Sequence, residues 1–129
     1  MADVIVTNST VEALNTSADV TSNAATETTA DTAQTFVIKP TTGTDTLLVK
    51  VTTLTGVSMT VAAGDEVFAN NALTDDLDNE TVVYHLDAGR YINSDGEIEI
   101  TFAPDDEAEA LLTDAELALE VYEIALDTI

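Results

Sequence analysis

Few side chains in this sequence are of a type that performs chemistry, and their spacing narrows the options further. The chain has one histidine, His85, and no cysteine. A cysteine nucleophile, a thiolate metal site and a disulfide framework are therefore excluded. His85 sits between Tyr84 and Leu86 in an apolar run with no serine-nucleophile pattern beside it. A zinc centre needs further nitrogen or sulfur ligands, and the chain has none to offer. His85 reads as a strand residue. Asp75, Asp76, Asp78 and Glu80 bring enough oxygens together for one hard cation such as calcium. No glycine stands at the sharp-turn position and no glutamate closes the loop, so a hydrated acidic loop is the favoured reading and calcium the weaker one. Paired carboxylates for glycoside hydrolysis are present in number. The aromatic residues that would line a sugar groove are scarce, with three tyrosines, three phenylalanines and no tryptophan. Arg90 is the only arginine, next to Tyr91. In so acidic a chain its guanidinium should find a carboxylate, by default within the molecule and otherwise across an interface. Arg90 and Tyr91 are thus the interface candidates. No catalytic constellation is formed and no cofactor is implied, so the chain reads as a non-enzyme.

The charge balance is the most informative property. Twenty-five acidic residues stand against three basic ones, Lys39, Lys50 and Arg90, for a net charge of −22 in 129 residues. A binder of nucleic acid through its phosphates is close to excluded. A second acidic cluster, Asp105, Asp106, Glu107 and Glu109, joins the one at 75–80. Within each cluster the carboxylates are spaced at less than or close to the Debye length of about 8 Å in physiological salt, and they repel. At about 1 M salt that length falls to about 3 Å and most of the repulsion disappears. Short, strongly hydrated carboxylates with almost no lysine therefore suit a protein of concentrated brine. The rival reading of the same charge is a DNA mimic that captures a host DNA-binding protein. A mimic calls for a long acidic helix or a charged stripe, whereas these acids fall mostly in loops and on alternate strand positions. Asn-x-Ser/Thr sequons at Asn8, Asn15 and Asn79 would accept glycans on an exposed surface. The sequence shows neither a signal peptide nor an 18-residue apolar span.

The elements that would carry these residues are strands. Leu, Ile, Val and Phe account for 35 of the 129 residues, about 27% and above the level of about 20% at which highly charged chains stay disordered. Residues 2–7 alternate as a short first strand. Residues 8–34 are mostly Thr, Ala, Ser, Asn and Asp, too poor in large apolar groups to build core, and read as an extended arm or surface excursion. Phe36–Ile38 form a strand ending at Pro40. Leu47, Val49 and Val51 alternate with Leu48, Lys50 and Thr52. Thr55-Gly56 then predicts a hairpin into Val57–Val61. Residues 66–80 read as a polar loop and Thr81–Leu86 as a strand. Asp87-Ala88-Gly89 is a turn, and Asn93-Ser94-Asp95-Gly96 a hairpin turn into the amphipathic strand Ile98, Ile100, Phe102. The C-terminal segment is two-sided. Thr113 and Glu116 fit a capping box for a helix to Leu126, while the alternation of Leu117, Leu119 and Val121 against Tyr122, Ile124 and Leu126 fits a buried closing strand. The need of the preceding strands for a partner favours the strand. These expectations sum to one all-β domain over 1–129, a single antiparallel β-sandwich, jelly-roll-like, with residues 8–34 as a long N-terminal arm. Threonine at about one residue in six agrees.

Residues 47–102 resemble the small head decoration, or cement, proteins of tailed viruses. The resemblance lies in Leu47-Leu48-Val49-Lys50-Val51, in Thr55-Gly56-Val57-Ser58-Met59-Thr60-Val61, and in the run Ala88-Gly89-Arg90-Tyr91-Ile92-Asn93-Ser94-Asp95-Gly96 before an alternating strand. It covers somewhat under half the chain. The acidic stretch at 75–80 and the Ala/Glu/Leu-rich C-terminal segment depart from the pattern. With the brine argument, the resemblance implies a tailed virus of a halophilic archaeon. It implies a structural protein on the outer capsid surface of the virion, a homo-oligomer, often a trimer, that binds and reinforces major capsid protein subunits. Nucleic acid and membrane are not among the implied partners. A tail or neck structural protein and the DNA-mimic inhibitor are the alternatives.

Overall fold

The computed structural model describes residues 3–11, 20–41, 46–65, 71–105 and 110–124. It is an all-β, sandwich-like fold of two sheets packed against each other. The strands are β1 (Val4–Ile5), β2 (Asn8–Val11), β3 (Asn23–Ala24), β4 (Gln34–Ile38), β5 (Thr46–Thr53), β6 (Val57–Val61), β7 (Leu73–Leu77), β8 (Glu80–Asp87), β9 (Ile98–Pro104) and β10 (Ala118–Ile124), with a one-turn helix α1 (Ala88–Tyr91) before β9. The first sheet runs β1-β4-β9-β6-β7. The second runs β2-β10-β5-β8, with β3 also pairing to β10.

Period-two patterning builds the interior. Leu47, Val49 and Val51 of β5 and Leu119 and Val121 of β10 face Phe36 and Ile38 of β4, Met59 and Val61 of β6, and Ile98, Ile100 and Phe102 of β9 in one buried cluster. Phe36 and Phe102 meet edge to face, 5.5 Å between ring centres, the geometry that aromatic quadrupoles favour. Residues that alternate with these point to the two outer faces.

Most neighbouring strands are antiparallel, but the two N-terminal pairings are parallel. Val4 and Ile5 lie beside Phe36 and Val37, and Asn8–Val11 run beside Val121–Ile124. Alternation fixes which face a residue takes and carries no information about strand direction, so these parallel edges were not foreseeable from the pattern. They have a clear function in the fold. The segment 4–11 starts on the edge of one sheet and continues on the edge of the other, closing that side of the sandwich. The β7–β8 segment does the same on the opposite side, turning at Asn79, whose φ of 48° is tolerated by asparagine.

Four local expectations are corrected. Thr55-Gly56 is not a hairpin: β5 lies in the second sheet and β6 in the first, so the chain crosses between layers there. A Cβ on Gly56 would meet the Asp105 carboxylate, which packs against the bare glycine backbone at that crossing. The polar stretch 66–80 contains β7, a solvated edge strand whose aspartates mask its strand character, as charges on edge strands do. The expected turn at 87–89 is the start of α1, with the Asp87 side chain accepting from the Gly89 N–H as N-cap. The turn at 93–96, with Gly96 at φ 77° and Asn93 Oδ1 accepting from the N–H groups of Asp95 and Glu97, is present but leads from α1 into β9 and joins no hairpin. The C-terminal alternative resolves to strand. Residues 112–116 form turns ending at Glu116 with φ 51°, and β10 follows.

Where it is described, the stretch 8–34, expected as an extended arm or surface excursion, is attached to the body of the sandwich. β2 and β3 are hydrogen-bonded to β10, and Ser9, Asn23, Ala25 and Gln34 are buried. Amide side chains replace apolar area here. Asn23 Oδ1 accepts from Thr7 N–H at 2.8 Å while its Nδ2 donates to the carbonyls of Thr7, Thr21 and Leu119. Gln34 Oε1 accepts from the N–H groups of Thr26 and Glu27, and its Nε2 donates to Thr26 Oγ1. Residues 12–19, including the sequon at Asn15, lie outside the described residues.

Candidate functional site

The four carboxylates of the calcium candidate do not converge. Asp75 and Asp76 are successive residues of β7 and point to opposite faces, in register with Met59 and Ser58. Asp75 accepts a hydrogen bond from Tyr84 Oη at 2.7 Å, and Glu80 Oε1 accepts from the Asp78 N–H. Among the described residues no group of three or more His, Asp or Glu side chains is arranged to hold a metal ion. Asp105 of the second cluster stands against Gly56, and 106–109 lie outside the described residues. A depression of ≈ 250 Å³ lined by Leu54, Thr55, Gly56, Asp78, Asp105 and Ala110 holds two carboxylates and, among the described residues, no cationic group.

The interface candidates separate. Tyr91 packs in the core and is 9% exposed. Its ring supports α1 against the sandwich. Arg90 is exposed on the same turn, with Nε 3.8 Å from Asp87 Oδ2. The other two cations are placed alike, Lys39 at 3.6 Å from Glu97 and Lys50 at 3.9 Å from Glu120. His85 is exposed on the outer side of β8, opposite Leu48.

Two tyrosines report the acidic surroundings. Burial, and then the adjoining Asp75 carboxylate, push the Tyr84 phenol well above its ordinary range. The hydrogen bond from Tyr122 Oη to Glu120, 2.7 Å long, raises the Tyr122 phenol. In the other direction, the Thr29 N–H donated to Glu27 lowers that carboxyl.

Comparison with family models, curated proteins and solved structures finds no match to this chain. The surface itself must carry the functional argument.

One region of that surface stands apart. The outer face of the second sheet is formed by alternate residues of three adjoining strands: Thr81, Val83 and His85 of β8, Leu48, Lys50 and Thr52 of β5, and Ala118, Glu120, Tyr122 and Ile124 of β10. It holds one carboxylate away from its ends, Glu120, and that one is next to Lys50. Val83 is 61% exposed and Ile124 37%. The sequence signal for this face was available in Leu48, Lys50 and Val83, outward positions without acids in a chain where nearly one residue in five is acidic. What sequence reasoning missed is that β5, β8 and β10 are neighbours, which assembles those positions into one patch. It also missed Glu123, wholly buried on the inner side of β10.

Proposed function

We propose that this chain is a non-enzymatic structural protein that binds other proteins in concentrated salt, as a decoration protein on the outer capsid surface of a tailed virus. The charge-poor outer face of β8, β5 and β10 is the observation that supports this reading. In a protein of net charge −22, a patch of aliphatic, aromatic and hydroxyl side chains with one bridged ion pair is the surface that another protein can cover at least electrostatic cost. The resemblance of residues 47–102 to cement proteins supplies the identity of that partner, the major capsid protein. A two-layer sheet suits the role mechanically, because each layer is cross-linked by backbone hydrogen bonds. A clamp that engages several lattice subunits gains avidity from each added contact. The acidic coat fits a brine, where screening removes its self-repulsion.

Quantitative mass spectrometry of virions purified in molar salt tests the proposal. The expected copy number is comparable to that of the major capsid protein, and particles stripped of the chain should burst more readily. Absence from virions combined with recovery of a host DNA-binding protein on the immobilised chain would replace this reading with the DNA mimic. A few copies per particle would replace it with a tail or neck role.

A further inference from the structure

The outer edge of β8 differs from the other edges of the sandwich. β8 pairs with β5 on one side, and among the described residues no strand pairs with it on the other. Open edges template pairing with other chains, and proteins blunt them with short strands or charge. In the first sheet, β1 is two residues long and β7 carries Asp75 and Asp76. β8 is eight residues long, and its central six, Thr81-Val82-Val83-Tyr84-His85-Leu86, contain no carboxylate. The most exposed large hydrophobic residue among those described, Val83, lies at its middle.

We infer that the edge of β8 pairs antiparallel with β8 of a second copy, about a two-fold axis at Val83, joining the two second sheets into one continuous sheet. Self-pairing is favoured over an unrelated strand by how this register disposes the charges. Opposed residues must share a face, so with Val83 opposite Val83 of the second copy, Thr81 meets His85 on the outer side and Val82 meets Tyr84 on the inner side. Glu80 then lies opposite Leu86 and Asp87 opposite Asn79, so no carboxylate opposes a carboxylate along the strand. A two-fold contact is isologous, and such a strand complements itself. Asp75 and Asp76 of β7 lie on the same side of each sandwich, so association requires their screening and belongs in molar salt. The result doubles the charge-poor outer face. The resemblance to cement proteins implies a trimer instead, and solution mass separates the two.

Sedimentation equilibrium of the full chain in about 1 M salt should give the mass of two chains. Val83→Lys changes an exposed outer position, should keep the circular dichroism of the parent, and should return the mass to one chain. The chain contains no cysteine, so Val83→Cys provides a direct register test. Opposed Cα atoms of an antiparallel pair lie about 4.5–5.5 Å apart, within disulfide reach. Mild oxidation in molar salt should convert most Val83→Cys chains to a covalent dimer and leave Ser94→Cys uncrosslinked. A single-chain or three-chain mass, a dimer that survives Val83→Lys, or a dimer whose Val83→Cys does not cross-link would each overturn the inference. A dimer that is absent from virions would keep the pairing and remove the decoration role.

Discussion

Glu123 Oε2 accepts the backbone N–H of Thr41 at 2.6 Å, on a carboxylate with no solvent exposure. Its other oxygen accepts from Asn8 Nδ2 and Thr41 Oγ1, both at 3.3 Å, and Asn8 Nδ2 also donates to the Lys39 carbonyl. Three segments far apart in sequence, the start of β2, the chain beyond β4 and the end of β10, are thereby held at one end of the second sheet. A carboxylate with backbone and amide donors is held more strongly than a neutral acceptor would be.

Removing that acceptor leaves the Thr41 N–H and the Asn8 amide without their carboxylate partner at a partly buried site. Glu123→Ala should therefore cost about 1.5–3 kcal/mol, read from denaturant unfolding in molar salt. Glu120→Ala, on the outer face of the same strand, should cost less than about 1 kcal/mol because its partner Lys50 is exposed. Equal costs for the two would remove Glu123 from its role as the tie between segments.

Glu123 also shows how far the sequence was legible. The alternation that places Leu117, Leu119 and Val121 inward continues to position 123, so an acid on the apolar parity was visible as an anomaly. Its resolution was not visible, because Asn8 and Thr41 are 115 and 82 residues away. The same division holds elsewhere. Ile98, Ile100 and Phe102, or Leu47, Val49 and Val51, could be assigned to the interior from local period alone. Which strands adjoin depends on crossings between layers, and Thr55-Gly56 has the composition of a hairpin and of a crossing alike. The burial of Asn23 and Gln34 was hidden for another reason: hydrogen bonds more than apolar area hold 20–34 to the body, and composition does not register them.

The Tyr84–Asp75 hydrogen bond bridges β8 of one sheet to β7 of the other, and its pH dependence has a definite sign. The folded phenol is held above its ordinary range, by burial first and by Asp75 second. In the unfolded chain it ionises near pH 10. The contribution of Tyr84 to stability is therefore fully present below about pH 10 and is lost as pH rises from there through the folded value. Phenolate absorbance should show Tyr84 and Tyr122 titrating above the ordinary phenol range in the folded protein, and Tyr84→Phe should remove the latest component. The substitution should cost less than about 1 kcal/mol at neutral pH, because the hydrogen bond is solvent-exposed. An unchanged titration in Tyr84→Phe would show that the latest phenol is another one.

Gly96 isolates a backbone effect. Its φ is 77°, and a Cβ placed on it would meet nothing within 4 Å. Gly96→Ala should thus cost about 1 kcal/mol from the left-handed conformation alone, and Gly96→Asn less, since asparagine tolerates that region. Thermal unfolding in molar salt measures both. A neutral alanine would mean that the turn after α1 relaxes to another conformation.

Salt should act on the whole molecule. Asp75, Asp76, Asp78 and Glu80 are four of the six residues 75–80 of one edge strand and its turn, and the three basic residues are already each within 4 Å of another carboxylate. Repulsion along that edge is therefore opposed mainly by mobile cations, and its range grows from about 3 Å in 1 M salt to about 10 Å in 0.1 M salt. Lowering the salt between those concentrations should depress the melting temperature of the isolated chain. Asp76→Asn with Asp78→Asn should recover part of the loss at low salt and change little at high salt, because screening has already removed that repulsion. Sodium chloride and potassium chloride should act alike, as expected of screening. A melting temperature that stays level as the salt falls would show that β7 and its turn tolerate their charge without screening, and the brine reading would fall with it.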